Sequence, residues 1–373
     1  MSLREFAVRR ERNVELLLLA VAGAALALGW WSLRAADAAL PTTTARILTQ
    51  FAVSGLLAHA ACRVLAPRAR PEIVTVAAFL SAIGMVFVLR LDPSVAQDQA
   101  TWMTIGAIAF AAGLAAGTRY TLLKRYTFTA GAVALAILFF TGIFGTTING
   151  ARLWVTVAGQ TIQTTELIKV FVILFLAGYL TDSASILASP TLRIGGRTYS
   201  GAAYLVPLLG VVLGAIAALA LLRDLGSIAL LLLLAVALLY VATGRLRFVV
   251  GGILLLAVTG FIGYLAFDHA QTRIDAWLNP EADPAVTGYQ ALQGTYAIQA
   301  GGITGEGIGL GQPDAIPAAP TDYIFSAIAE ELGLAGAFGI VALYVVLLFA
   351  GLSVAREGKD SYGRLLAAAI ALL

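Results

Sequence analysis

The chain has 373 residues, of which 60% are hydrophobic and 12% are charged, and its mean hydropathy is +0.89. A soluble domain carries about twice that share of charged residues, so the composition excludes one and indicates a membrane protein. The net charge of +3 is small; we attribute it to membrane topology, and it gives no indication of a nucleic-acid partner.

Runs of roughly 20 apolar residues, the length that crosses a bilayer core, follow one another along the chain. They predict an all-α fold, a polytopic membrane helix bundle of about ten transmembrane helices with a partial eleventh that begins at Leu365. The ten predicted spans are 14–33, 47–65, 73–89, 102–117, 127–148, 165–180, 202–222, 226–243, 248–267 and 323–354.

Most of the 24 Lys and Arg residues fall in alternate connections between these spans. Because basic segments resist translocation, those connections and the N-terminus are predicted to be cytoplasmic. The first span is predicted to be a retained anchor, since roughly 20 residues exceed the ~7–15 of a signal-peptide core. Residues 268–321 then form a large extracytoplasmic loop. The basic residues predicted to lie outside are Arg34, Arg46, Arg90, Arg152, Arg223 and Arg273.

Cys62 is the only cysteine of the chain, so no intrachain disulfide is expected. His59 lies three residues before it on the second predicted helix, a spacing that two metal ligands could use. Because no third ligand lies nearby in the sequence, we interpret this pair as part of a packed apolar helix face.

Two outer connections carry charged residues that a simple turn does not need. In 146–165, Arg152 and Trp154 are either an interfacial anchor among headgroups or the site of a guanidinium that clamps phosphate oxygens. The tight hairpin at Arg223 and Asp224 is either part of a substrate site or a turn that neutralises its own charge.

Gln163, Glu166 and Lys169 recur every three residues where the sixth predicted span begins, which places them on one helical stripe. Ionisable groups at this depth usually face the bundle interior, where they are paired or functional. A structural Glu166–Lys169 pair and a substrate-binding role are both open.

The 268–321 loop combines carboxylates with glycines. Asp283 lies between Pro280 and Pro284, which restrict its backbone and hold its carboxylate in one place. The glycines of 301–311 permit a close approach of the backbone to a ligand, and they equally suit a moving lid.

The last complete span opens at Thr321 and Asp322, one of which is predicted to be the helix N-cap. Glu330 and Glu331 lie about two turns further on, too deep to be merely solvated. A helix of this length accommodates them if it breaks near Gly333 or lines a cavity.

Short strings within the segments described above, taken in chain order, resemble those of the SEDS (shape, elongation, division, sporulation) family, the RodA/FtsW group of bacterial peptidoglycan glycosyltransferases. The resemblance runs from about residue 73 to the end. The chain is therefore divided into 1–70, a cytoplasmic tail with two extra transmembrane helices, and 71–373, a SEDS-like core. The matching strings are GARLW at 150–154, QTTELIK at 163–169, RDLGS at 223–227, NPEADP at 279–284, GYQ at 288–290, AGG at 300–302, GEG at 305–307, TDYIF at 321–325 and EELG at 330–333.

Three departures from the family pattern bear on what the resemblance implies. Thr164 and Thr165 replace the family's Pro-Ser, and 318–320 reads Ala-Ala-Pro where the family commonly has an acidic residue and a histidine. The Ser- and Gly-rich C-terminal segment of the family is absent, so a C-terminal truncation is expected.

The resemblance implies polymerisation of lipid II at the outer face of the bacterial cytoplasmic membrane, with release of undecaprenyl diphosphate. Asp283 aligns with the family's catalytic aspartate and is the expected general base. Two rival functions stay open, a lipid II flippase and a non-catalytic scaffold. The expected substrate-binding residues are Arg152, Gln163, Glu166, Lys169, Arg223, Asp224, Tyr289, Gln290, Thr321, Asp322, Glu330 and Glu331.

A carboxylate-bound divalent cation, Mg²⁺ or Mn²⁺, is a further expectation from ligand type, although no spacing in the sequence is diagnostic of a metal site. The expected partners are lipid II, membrane lipids and a class B penicillin-binding protein, the transpeptidase that crosslinks the new strand in this family. A role in cell elongation and one in cell division are both open.

Overall fold

The computed structural model describes residues 3–148, 151–157, 160–189, 191–194 and 197–373, and Gly150 of the GARLW string lies outside them. The described helices are α1 Leu3–Ala35, α2 Thr44–Leu65, α3 Pro71–Leu91, α4 Ala96–Gly117, α5 Thr127–Phe144, α6 Thr164–Ala188, α7 Leu205–Leu221, α8 Leu225–Thr243, α9 Leu246–Ala266, α10 Asp268–Leu278, α11 Tyr289–Gly301, α12 Ile324–Glu357 and α13 Ser361–Leu372. The strands are β1 Thr146–Ile148, β2 Ala151–Val157, β3 Gln160–Gln163, β4 Thr191–Ile194 and β5 Arg197–Ser200.

The predicted membrane helix bundle is confirmed. Among the described residues, nine helices are long and apolar enough to cross a membrane. Two predicted spans are shorter than the rest, α7 with 17 residues and α13 with 12. The chain divides into unit 1, Met1–Thr118 with Arg273–Ala350, and unit 2, Arg119–Thr272 with Gly351–Leu373.

In unit 1, α1 packs against α3 and α2 packs against α4. Leu26 of α1 and Phe87 of α3 are buried in a shared apolar core. Gly29 lets α1 approach α3 closely, because a Cβ at this position would collide with Val86. Small residues at helix contacts are the usual means by which membrane helices approach one another.

A buried charged cluster joins α1 to α2 in unit 1. Glu15 accepts from His59 Nδ1 at 2.7 Å and pairs with Arg12 at 2.5 Å, and Arg12 also donates to the carbonyl of Ala69. The interpretation of His59 and Cys62 as a wholly apolar face was therefore wrong for His59, whose partner lies 44 residues away in sequence. Cys62 is a buried free thiol.

In unit 2, α6 packs against α5, α8 and α13. Phe175, Leu176 and Leu180 of α6 are fully buried in the core of the unit. A continuous apolar sequence, rather than an amphipathic one, suits α6 because neighbours surround it on several sides.

Short antiparallel sheets add to the predicted helical fold. Strands β1, β2 and β3 form a sheet in the order β1-β2-β3, in which Trp154 pairs with Gln163 and Val155 with Ile162. Strands β4 and β5 form a second sheet. The first sheet lies in the 146–165 connection, whose charged residues indicated more than a simple turn. It positions Arg152 and Gln163.

The predicted loop 268–321 contains regular structure. Helix α10 is followed by a 3₁₀ turn at Pro280–Ala282, by α11 and by a second 3₁₀ turn at Pro313–Ala315. Of the two alternatives for the last long helix, the structure has the break, at Gly333, which has φ 68° and ψ −176° inside α12.

Candidate functional site

Asp283 lies on the turn between the 280–282 segment and α11, in unit 1. Its Oδ2 accepts from the backbone N–H of Thr287 at 3.3 Å and from the Thr287 hydroxyl at 3.2 Å. Among the described contacts, its Oδ1 has no hydrogen-bond donor, and the side chain is half-buried. The carboxylate is thus oriented through one oxygen while the other is left for a ligand.

Gly288 makes this turn possible. Its N–H donates to the carbonyl of Asp283 at 2.9 Å, and a Cβ at this position would collide with the carbonyl of Pro280. Only glycine therefore fits where the chain returns past Pro280 into α11. The conformation of the Asp283 turn depends on this close backbone approach.

The start of α11 is tied to the segment that precedes α12. Gln290 donates from Nε2 to the carbonyl of Pro317 at 2.9 Å, while the neighbouring Tyr289 is exposed. Thr321 and Asp322 are exposed in the same segment. The Thr321 hydroxyl donates to the carbonyl of Ala318 at 3.3 Å, and α12 begins only at Ile324.

The predicted N-cap at Thr321 or Asp322 was therefore wrong. Within the described contacts, neither side chain accepts a hydrogen bond from the first turn of α12. Backbone groups make this turn instead, because the N–H groups of Asp322 and Tyr323 both donate to the carbonyl of Ala318.

Glu331 is held by a cation that the sequence gave no reason to select. Arg90 of α3 donates from Nε to Glu331 at 3.0 Å, and the two side chains are 15% and 0% exposed. The N–H of Gly309 donates to the other carboxylate oxygen at 2.9 Å, and Arg90 also donates to the carbonyl of Gly311 at 3.0 Å. Glu331 is consequently bound on both oxygens by protein groups.

Glu330 makes a different set of contacts. Its Oε1 accepts from the N–H of Gln312 at 2.8 Å, and its Oε2 is buried without a partner in the described structure. The two adjacent glutamates, both predicted to bind substrate, therefore both contact the glycine-rich segment 305–312, but among the described residues only Glu331 has a cation beside it.

The helix break at Gly333 provides further bonds to the same segment. The carbonyls of Glu330 and Glu331 accept from the N–H groups of Glu306 and Gly307, each at 3.0 Å. A Cβ at Gly333 would collide with backbone atoms of Ile303 and Gly305. The close approach expected of these glycines is thus made to the backbone of α12, so it needs no ligand to explain it.

In unit 2, Arg152 and Arg223 line one cavity of about 530 Å³. Strand β2 is joined to the α7–α8 hairpin because the N–H of Arg152 donates to the carbonyl of Leu222 at 3.3 Å. Arg152 Nη1 donates to the carbonyl of Gly142 at 3.1 Å. Apolar side chains such as Phe139 and Leu221 form most of the remaining wall.

Both arginines in this cavity are exposed, and in the part of the chain that the structure describes neither forms an ion pair. Arg223 has φ 64°, a left-handed conformation that is uncommon for a residue with a Cβ. Two uncompensated guanidinium groups beside an apolar wall suit a ligand with an anionic head and a hydrocarbon tail.

Asp224 does not neutralise Arg223. Its carboxylate accepts from the backbone N–H of Ser227 at 2.9 Å and from the Ser227 hydroxyl at 2.5 Å, which makes it the N-cap of α8. The alternative of a self-neutralised hairpin is therefore not what the structure shows.

Glu166 and Lys169 form an ion pair at 2.6 Å on the first turns of α6. Gln163 ends β3 and precedes the helix, so the predicted helical stripe has two members on the helix rather than three. Glu166 is 61% exposed and Lys169 is 22% exposed, so solvent reaches this pair.

No group of three or more His, Cys, Asp or Glu side chains that could hold a metal ion occurs among the described residues. Thr287 and Arg90 are contact residues that the sequence reasoning missed. Asp side chains usually bond the backbone two residues on, so the contact of Asp283 with Thr287, four residues on, has no standard sequence signal. No local signal could have identified Arg90, which lies 241 residues from its partner.

Residues 72–373 match the family model FTSW_RODA_SPOVE, described as cell cycle protein. The chain is 35% identical over 327 residues to "Peptidoglycan glycosyltransferase RodA" of Mycobacterium tuberculosis H37Rv, covering 84% of this chain and 70% of that protein. It is 30% identical over 315 residues to "Probable peptidoglycan glycosyltransferase FtsW" of the same strain, covering 80% and 58%.

The fold is also similar to a solved structure described as "Structural coordination of polymerization and crosslinking by a peptidoglycan synthase complex". The TM-score is 0.59 at 23% sequence identity, and the match covers 82% of this chain and 83% of that one. At this identity the likeness concerns the fold.

Proposed function

The chain belongs to the family of cell cycle proteins that includes FtsW, RodA and SpoVE, and on that premise we propose that it is a peptidoglycan glycosyltransferase that polymerises lipid II. This function is carried by the match of residues 72–373 to the family model, together with 30–35% identity over 315–327 residues to relatives named as peptidoglycan glycosyltransferases. All the expected site residues lie inside the matched region.

In the proposed reaction, a sugar hydroxyl of one lipid-linked disaccharide attacks the anomeric carbon of another. The bond from that carbon to the diphosphate oxygen breaks as the new glycosidic bond forms, and undecaprenyl diphosphate leaves. Asp283 accepts the proton of the attacking hydroxyl. Its geometry supports this role, because Thr287 orients Oδ2 and Oδ1 stays available.

The cavity lined by Arg152 and Arg223 is proposed to bind the diphosphate of a lipid-linked substrate. Guanidinium groups bind phosphate oxygens through paired N–H donors, and negative charge that develops on the diphosphate is stabilised by fixed cations. The apolar wall at Phe139 and Leu221 suits the first isoprene units. Roles in substrate binding for Lys169, Glu166, Gln163, Tyr289, Thr321 and Asp322 stay proposals of the same kind.

We propose that three residues, Glu330, Glu331 and Gln290, act by holding other parts of the chain in place. Their contacts are to Arg90 and to backbone groups of the 305–317 segment, which follows α11. These bonds fix the segment between α11 and α12 and so support the Asp283 turn at the start of α11.

A divalent cation is proposed to bind only together with the substrate, which supplies part of its ligands. The described residues offer no three-ligand cluster, so Mg²⁺ or Mn²⁺ would take its remaining ligands from phosphate oxygens and water. No step of the proposed mechanism is assigned to it.

We propose that the protein lies in the bacterial cytoplasmic membrane with its N-terminus inside and Asp283 outside. The distribution of Arg and Lys supports this orientation. A class B penicillin-binding protein is the proposed partner. Support comes from family membership, and the fold is shared with a protein described within a complex of polymerisation and crosslinking.

Purified protein, with its partner, tests the function on fluorescent lipid II. Wild type is expected to make glycan polymer and Asp283→Asn to make none. The matched control is Asp314→Asn, which removes an exposed carboxylate elsewhere in the 268–321 segment and should leave polymer unchanged. Undiminished polymer in Asp283→Asn would remove Asp283 from the role of base. Lipid scrambling in vesicles without polymer would favour the flippase.

A further inference from the structure

An apolar crevice of about 380 Å³ lies among α1, α2, α3 and α4 in unit 1. Each helix contributes to its lining, which includes Leu19, Gly55, Ala77 and Gly106. Gly106 and Ala77 are exposed, so the crevice opens on the side of the unit. Small residues at these positions leave room that larger side chains would fill.

The depth of the crevice limits what it can hold. Along α3 its lining runs from Ile73 to Ser81, a rise of about 12 Å at 1.5 Å per residue. A bilayer core is about 30 Å thick, so the crevice reaches less than halfway across it. A transmembrane partner helix needs a groove of the full thickness, whereas one acyl chain occupies a single leaflet.

One end of the crevice meets an arginine-rich rim. Ile73 is in the first turn of α3, directly after the connection that contains Arg68. Arg63 of α2 lies five residues beyond the lining residue Ala58, about 7.5 Å along the axis. Arg63 and Arg68 are exposed, and Arg63 donates to Asn13 at 3.2 Å. Among the side chains that the structure describes, the exposed charged residues at this end are Arg9, Arg10, Arg63 and Arg68 with Glu11 and Glu72.

The buried Arg12–Glu15–His59 cluster fixes the geometry of this rim. Glu15 joins α1 to α2 through His59, and Arg12 binds the carbonyl of Ala69 in the connection that carries Arg68. The charge of Arg12 is already paired with Glu15, so the exposed residues Arg63 and Arg68 supply uncompensated positive charge at this end of the unit.

From this juxtaposition we propose that the crevice and its rim bind one anionic glycerophospholipid. One acyl chain occupies the crevice, and the phosphate is bound by Arg63 and Arg68. Guanidinium groups form strong bonds to phosphate oxygens, and basic pockets between transmembrane helices are known to bind anionic headgroups. With the proposed orientation, the lipid belongs to the inner leaflet. This site is separate from the proposed glycosyl transfer.

Native mass spectrometry of the full chain tests the site with phosphatidylglycerol and phosphatidylcholine of equal chain length. We expect wild type to retain phosphatidylglycerol preferentially. Gly106→Leu should abolish retention by filling the crevice, and a Cβ at Gly106 meets open space, so the substitution begins without a backbone clash. Gly113→Leu is the matched control on α4, because its Cβ also meets open space but it does not line the crevice.

The rim is tested with Arg63→Gln/Arg68→Gln, against Arg46→Gln at the opposite end of α2. The double variant should retain phosphatidylglycerol about 30-fold less well, because two cations near an anionic headgroup are lost. Equal retention in Gly106→Leu and Gly113→Leu, or equal retention of the two lipids by wild type, overturns the proposal. A photoreactive residue at position 106 should crosslink to lipid in membranes, and a protein adduct there would overturn it in favour of a partner helix.

Discussion

Replacement of Glu331 by Gln tests the buried contact that joins α3 to α12. The substitution keeps the shape of the side chain and removes its charge, which leaves the guanidinium of Arg90 largely buried without its partner. Loss of one member of a buried ion pair costs about 3–5 kcal/mol, because the remaining charge stays desolvated. We expect the free energy of unfolding to fall by that amount.

Glu330→Gln is the matched control at the adjacent position. Gln keeps an acceptor for the N–H of Gln312, and no cation lies beside this side chain among the described residues. The expected cost is therefore about 1 kcal/mol, the scale of one altered hydrogen bond. Reversible unfolding in mixed micelles measures both variants.

A double-mutant cycle completes the test of the Arg90 pair. Arg90→Gln/Glu331→Gln should cost less than the sum of its two single variants by more than about 0.5 kcal/mol, because the second change removes a charge that the first left unpaired. Strict additivity, or an equal cost for Glu330→Gln and Glu331→Gln, would refute the reasoning.

Three further predictions concern the Asp283 turn, the arginine cavity and the α12–α13 connection. Gly288→Ala should abolish polymer formation by displacing Asp283, as judged on labelled lipid II, whereas Gly339→Ala on α12, whose Cβ meets open space, should not. Arg152→Gln/Arg223→Gln should raise the KM for lipid II and reduce its dependence on salt; an unchanged KM would exclude the cavity from substrate binding. Asp360 has a lowered pKa, chiefly because the Tyr120 hydroxyl donates to it. Its stabilisation is therefore present above the unfolded pKa of about 3.9 and lost as pH falls through the lower folded value, and Tyr120→Phe should flatten that dependence in pH-resolved unfolding.

The membrane spans were predictable because each is a local property of about 20 residues. The break in α12 was predictable for the same reason, since two glutamates followed by Gly333 cannot continue an ordinary lipid-facing helix. The motif strings also predicted functional roles for Asp283 and Arg152, and these roles stay predictions.

The remaining features depend on pairs that are distant in sequence. Arg90 and Glu331, and likewise Glu15 and His59, meet only after the helices pack, so local reading could not join them.

The strands of 146–163 were missed because they are short and lie among spans whose apolar runs dominate the signal. Gln163 was assigned to a helix by its spacing, although the chain turns helical one residue later.

The Arg12–Glu15 pair bears on how the extra helices enter the bilayer. The two residues are three apart on α1, so they neutralise each other before any other helix exists. Helix α1 can therefore partition into lipid during synthesis, some 44 residues ahead of His59. Packing of α2 then completes the cluster, because His59 binds the Glu15 carboxylate and joins the two helices.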